Sequence, residues 1–142
     1  MSTTRALRRS FALAATPYAL RVMAATPAAV PELRAFARQT VTRWSRGDRA
    51  REDLALIVTE LVTNACEHSG SPHVTVYLFC DERTVGVRVS DMGSWREPGQ
   101  GTADEEDLHG RGLRLVEAYA EAVQIRRTST GTQVTATVLA DA

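Results

Sequence analysis

The chain has 142 residues, enough for one domain with a substantial core and too few for two. Hydrophobic residues make up 44% and charged residues 24%, and 17 basic side chains balance 17 acidic ones, so no net field draws in nucleic acid or an anionic membrane. The two cysteines have no CxxC or ligand spacing, which argues against a disulfide scaffold or zinc site, and no uncharged apolar run approaches the ~18 residues that span a bilayer.

Residues 1–16 read as a flexible basic tail, with a single domain expected over 17–142. Arg8-Arg9-Ser10-Phe11 before an alanine-rich stretch has the outline of a twin-arginine export signal, but Pro17 and Arg21 interrupt the apolar region. Tyr18 to Ala24 is a short apolar run that predicts a strand. Thr26-Pro27 then predicts a helix start, with Thr as cap and Pro at the first helical position. That helix runs to about Trp44, with Val30, Leu33, Phe36, Ala37, Val41 and Trp44 on its apolar stripe. Gly47-Asp48 breaks the chain, and Asp48 is suited to cap a second helix running to about His68. Leu54, Ile57, Val58, Leu61, Val62 and Ala65 form its buried face, and Ser69-Gly70-Ser71-Pro72 ends it.

The alternation of 73–80, a turn at Asp81-Glu82-Arg83, and 84–90 predict a β-hairpin. Residues 92–109 carry five acids and few apolar side chains, which predicts a mobile loop. A third helix is expected over 111–121, with Leu113, Val116, Tyr119 and Ala120 inward. A last hairpin pairs 122–128 with 132–139 across Ser129-Thr130-Gly131. The order β-α-α-β-β-loop-α-β-β predicts an α+β fold, a two-layer sandwich with helices on one face of a mixed, mostly antiparallel sheet.

Four polar fragments fall at the edges of these elements. Glu60 and Asn64 are one helical turn apart and project from one face about 6 Å from each other. The commoner fate of such residues is a solvated stripe, yet both border the apolar face, where a carboxylate is partly desolvated and placed to accept a proton. A carboxamide oxygen beside it can ligate Mg²⁺. His68, a turn further on, reads as closing the helix.

Asp91-Met92-Gly93 closes a strand, and either serves as a common turn or offers a carboxylate to an exocyclic amine beside a glycine that admits a flat ring. Gly110-Arg111-Gly112-Leu113 leads into the third helix, either as a hinge or as a phosphate cradle of backbone N–H groups with Arg111 alongside. Neither the Rossmann nor the Walker pattern is present. Gly131-Thr132 lies in the last hairpin.

Together these fragments resemble the nucleotide-binding boxes of the GHKL ATPases, which share the Bergerat fold. Within that superfamily, the run from Glu60 through Asn64 to His68 is most similar to the RsbW/SpoIIAB-like anti-sigma-factor serine kinases. The similarity covers about residues 18–140. It implies ATP and Mg²⁺ as cofactors, with Asn64 ligating Mg²⁺ and Glu60 as catalytic base on a serine hydroxyl or water. Asp91 would bind the adenine amino group, Gly93 would leave room for the ring, and Thr132 would reach the base through a water shared with Asp91. The segment Gly110, Arg111, Gly112 and Leu113 would complete the nucleotide site, with both glycines at the phosphates.

The resemblance also implies a cytoplasmic ATP-binding anti-sigma factor with serine/threonine protein kinase activity. It would phosphorylate an anti-anti-sigma antagonist protein and sequester a sigma factor, with room for a homodimer and no direct contact with nucleic acid or membrane. One departure stands out. The usual Asp-x-Gly-x-Gly box reads Asp91-Met92-Gly93-Ser94-Trp95, with Trp in place of the second Gly. That keeps open an ATP-binding regulatory module with little or no phosphotransfer, switching partners by nucleotide occupancy. A histidine-kinase catalytic fragment fits less well, since no helix with a phosphoacceptor His precedes the domain.

Overall fold

The structure, a computed structural model, describes residues 17–93 and 113–141. The loop expected over 92–109, apart from Met92 and Gly93, and the Gly110-Arg111-Gly112 turn lie outside the described residues. The elements follow in the expected order: β1 (Tyr18–Ala24), α1 (Ala29–Arg43), α2 (Asp48–His68), β2 (His73–Cys80), β3 (Thr84–Asp91), α3 (Arg114–Tyr119), β4 (Ala122–Thr128) and β5 (Gly131–Leu139). The strands form one sheet in the order β1-β2-β3-β5-β4, and each neighbouring pair runs antiparallel. Helices cover one face, so the architecture is the expected α+β two-layer sandwich.

The core lies between α2 and the sheet. Leu54, Ile57, Val58, Leu61, Val62 and Ala65 recur at helical spacing and are buried against Val74, Val76 and Leu78 of β2, Val85, Val87 and Val89 of β3, and Val134, Ala136 and Val138 of β5. Each large aliphatic side chain removed from water here stabilises the fold by roughly 1.5–3 kcal/mol. Because the inward residues of β3 and β5 alternate with outward ones, the same parity turns Asp91 and Thr132, at the ends of those strands, toward the helices.

Local chemistry moved three boundaries. α1 begins at Ala29 rather than at Thr26-Pro27, because Pro31 has no N–H to bond the Pro27 carbonyl. Pro27 instead accepts from the Val30 N–H at 3.2 Å, and Thr26 from the Ala29 N–H at 2.9 Å, so the chain enters through a tighter turn. Gly47, not Asp48, is the cap residue of α2, leaving Asp48 in the first turn, where its charge suits the helix dipole. Tyr119, expected inward, is exposed: α3 ends there, and Ala120, four residues after buried Val116, takes the inward position.

The sheet's other face is open. On β1, an edge strand, Tyr18, Leu20 and Val22 are all more than half exposed. Tyr18, Tyr77 and Phe79 form an aromatic row there, with ring centroids 5.8 and 5.7 Å apart. Phe79 lies over its cross-strand partner Gly86, where any Cβ would collide with the ring. On the helix side of β1, the Arg21 guanidinium sits 4.7 Å above the Phe36 ring and ties the strand to α1.

Candidate functional site

Burying a polar side chain is costly unless it is paired, so buried polar residues mark where a fold pays for something other than packing. Among the described residues these are Thr40, Asn64, Ser69, Ser71, Asp91 and Thr132. Thr40 is a simple case, donating to the Phe36 carbonyl one turn back at 2.7 Å. The other five belong to one end of the molecule, where the last turns of α2 and the turn after it meet the end of β3 and the start of β5.

Asn64 is the most telling of them. It lies on the buried face of α2, only 6% exposed, and its side-chain Nδ2 has no hydrogen-bond partner among the described residues. A carboxamide presents either atom by rotating, so this is a buried polar end awaiting a partner rather than one locked in a network. Glu60, one turn earlier, is half-buried. The acids in the first turns of α2 are engaged by arginines: Arg51 with Asp48 at 3.1 Å, Arg38 with Glu52 at 3.1 Å and Arg49 with Asp53 at 3.6 Å. Glu60 has no such ion pair among the described residues. The flanking Thr59 and Thr63 hydroxyls donate back to the carbonyls of Ala55 and Thr59, at 2.8 and 2.6 Å, and so do not occupy it. The arrangement leaves a half-desolvated carboxylate beside an unpartnered carboxamide.

Asp91 and Thr132 are register partners on adjacent strands, 7% and 3% exposed, and both face the helix layer. Oδ1 of Asp91 accepts the Gly93 N–H at 3.1 Å, which holds the carboxylate at the strand end in an Asx turn. Gly93, expected at the site, and Gly131, next to Thr132, have packing reasons of their own. A Cβ on Gly93 would collide with the Ser69 carbonyl, and one on Gly131, whose φ is +153°, with the Asp91 carbonyl. Gly93 thus lets the Asp91 turn lie directly on the chain leaving α2, and Gly131 brings the last hairpin against the Asp91 backbone.

Of the other expected site residues, Leu113 is fully buried in the core cluster. Gly110, Arg111 and Gly112 lie outside the described residues. His68 is the last residue of α2, exposed and 3.7 Å from Glu67, in keeping with a helix end. Cys66 and Cys80 are free thiols; burial, then the neighbouring Glu67 charge, push the Cys66 thiol above its ordinary value, so it is a poor nucleophile. No group of three or more His, Cys, Asp or Glu side chains among the described residues is arranged to hold a metal. A cleft of about 450 Å³ involves Val22, Thr75, Ser90 and Gln133, one cross-strand row on the open face. At one end it also reaches Asp91, Met92 and Gly131.

Sequence reasoning missed Ser69 and Ser71, which it took only as a helix stop. Their hydroxyls join the end of α2 to the backbone beside Asp91, a link of 21 residues that no local pattern signals.

The fold and this polar end together define a class: an α+β sandwich of the ATPase kind, whose longest helix carries an acid and an amide toward a strand-end aspartate. The chain belongs to the histidine kinase-like ATPase domain family, whose pattern it matches over residues 23–138. The family is one of ATPase domains, so ATP is the ligand class it implies for this chain. Among solved structures, the RsbU and RsbW domains of a Mycobacterium tuberculosis protein are similar at 25% identity and a TM-score of 0.65. That match covers 87% of this chain and 33% of the other, so the chain spans about a third of the length of that solved chain. The SiaB-SiaC complex of Pseudomonas aeruginosa contains a chain of the same fold at 14% identity and a TM-score of 0.63, over 96% of this chain and 97% of that one. No curated protein matches.

Proposed function

We propose that this chain is a cytoplasmic, Mg²⁺- and ATP-dependent serine/threonine protein kinase that acts as an anti-sigma factor by partner switching. It phosphorylates an anti-anti-sigma antagonist and, when released from it, sequesters a sigma factor. The observation that carries the reading is the buried carboxamide of Asn64, unpartnered beside half-buried Glu60 and on the same side of the sheet as Asp91 and Thr132. Similarity to a structure containing an RsbW domain supports the kinase class. No helix among the described residues is long and apolar enough to cross a membrane.

In this reading the residues divide the work. The Asp91 carboxylate accepts the adenine amine, and Thr132 beside it shares the base edge. Asn64 would hold Mg²⁺ through its amide oxygen, an ion that proteins bind with few side-chain ligands of their own. The ion, when bound, neutralises charge on the phosphates. Glu60 takes the proton from the attacking serine hydroxyl. Gly110, Arg111, Gly112 and Leu113 complete the phosphate side. A homodimer belongs to the same reading, supported by the exposed Tyr18, Leu20 and Val22 stripe on edge strand β1.

Transfer of labelled phosphate from ATP to a purified anti-anti-sigma protein tests the proposal. The expected result is Mg²⁺-dependent labelling of one serine or threonine of the antagonist. ATP binding with no transfer to any such partner would favour the second reading, a regulatory module switched by nucleotide occupancy. Trp95 in place of the second Gly of the Asp91 box is the feature that favours it.

A further inference from the structure

We infer that Ser71, supported by Ser69, is a positioning residue for base recognition: its hydroxyl fixes the Asp91 backbone to the end of the Asn64 helix, so discrimination of adenine from guanine depends on it. The inference rests on the ATP reading above and adds to it a determinant of specificity. Ser69 Oγ donates to the Ala65 carbonyl at 2.6 Å, and the Ser71 N–H donates to Ser69 Oγ at 3.1 Å. Ser71 Oγ then donates to the His73 carbonyl at 2.7 Å and accepts the Met92 N–H at 3.1 Å. A further N–H, from His73, reaches the same oxygen at 3.4 Å.

A hydroxyl has one proton and two acceptor sites, so that of Ser71 is fully subscribed. The anchored groups are the immediate neighbours of the two functional side chains: Ala65 follows Asn64, and Met92 follows Asp91. One run of hydroxyls therefore sets the spacing between the amide expected at the metal and the carboxylate expected at the base. There is no slack in the join, because Gly93 lies against the Ser69 carbonyl so closely that a Cβ could not fit. Capping α2 would need Ser69 alone. The bond from Met92 to Ser71 closes no helix, and it spans 21 residues in a place where Ser71 is only 8% exposed.

The chemical consequence is selective. Adenine offers an amine to the Asp91 carboxylate, whereas guanine offers a carbonyl oxygen that the carboxylate repels. Discrimination of this kind depends on where the carboxylate is held, while contacts to phosphate are common to both nucleotides. Loosening Met92 lets Asp91 shift, and adenine loses more than guanine does.

Calorimetric affinities for ATP and GTP with Mg²⁺, measured on the full chain, test this. Ser71→Ala should weaken ATP about tenfold and GTP much less, so the ratio of affinities shrinks by close to that factor. Ser71→Thr keeps the hydroxyl and should retain the ratio. Ser69→Ala, the alternative if Ser71→Ala does not fold, should shrink the ratio in the same direction. Thr40→Ala removes an equally buried hydroxyl bond in α1 and should lower the melting temperature with the ratio unchanged. Parental discrimination in folded Ser71→Ala or Ser69→Ala, or an equal loss in Thr40→Ala, would overturn the inference alone. Absence of ATP binding by the parent chain would overturn the ATP reading itself and the inference with it.

Discussion

Single side chains at the polar end separate binding from chemistry. Glu60→Gln keeps size and hydrogen bonding but cannot take a proton, so ATP should bind as before while phosphotransfer falls by about 10²–10⁴-fold. Transfer at the parental rate would remove Glu60 from the role of base. Away from the site, Asp81 shows how one carboxylate organises a turn. Its Oδ1 accepts the Arg83 and Thr84 N–H groups, both at 2.8 Å, and the Thr84 hydroxyl at 3.1 Å. The Thr84 and Arg83 N–H groups, with help from the Thr84 hydroxyl and Arg46, hold the Asp81 carboxyl below its usual range. A depressed folded-state pKa means stabilisation that is present above the ordinary carboxylate value and lost as pH falls through the folded one. Asp81→Ala should therefore cost about 1 kcal/mol near neutrality, with the gap to the parent closing in strong acid. Denaturant midpoints at about pH 7 and about pH 3 would show it, and a gap unchanged by pH would count against it.

The helices and strands owe their positions to patterns of different range. The period of α2 and the alternation of β2 were legible because each element buries one continuous face: Leu54 to Ala65, and Val74, Val76 and Leu78. Glu60 and Asn64 were legible for the same reason, as polar residues bordering an apolar stripe. The start of α1 was legible only in part: Pro31 in the early turns signals a tightened start, but the N–H it lacks also moved the helix start past Thr26-Pro27. The hydroxyls of Ser69 and Ser71 were not, because their meaning depends on Met92, which only the tertiary fold brings near. The end of α1 near Trp44 was legible, but not the way it closes, in a Schellman motif: the Arg46 N–H meets the Val41 carbonyl at 3.3 Å and the Ser45 N–H meets the Thr42 carbonyl at 3.0 Å. Ser45 takes the left-handed conformation there, with φ of +57°, where glycine is usual. Ser45→Gly relieves that strain at some cost in unfolded-chain entropy and should stabilise the fold by about 0.5–1 kcal/mol. Thermal unfolding would register the rise in melting temperature, and a fall would show that Ser45 makes a contact worth more than the strain.

At the scale of the whole molecule, one face of the sheet is spent on the core and the other is left to solvent or partners. The β1 stripe and its aromatic neighbours Tyr77 and Phe79 make the apolar corner of that open face. Leu20→Arg should leave thermal stability near the parent's, since Leu20 is 56% exposed, while converting a dimer to a monomer in light scattering. A parent already monomeric at high concentration would set the homodimer aside. The opposite face carries the central claim, that the buried polar end of α2, β3 and β5 is an ATP site. Calorimetric titration of Mg²⁺-ATP into the parent and into Asp91→Asn tests it most directly. The amide offers adenine fewer acceptor sites and no charge, a loss of roughly 1.5–3 kcal/mol, so affinity should fall more than tenfold in a variant that still unfolds cooperatively. Unchanged ATP affinity in folded Asp91→Asn would contradict the account, because the nucleotide would then be bound somewhere other than this site.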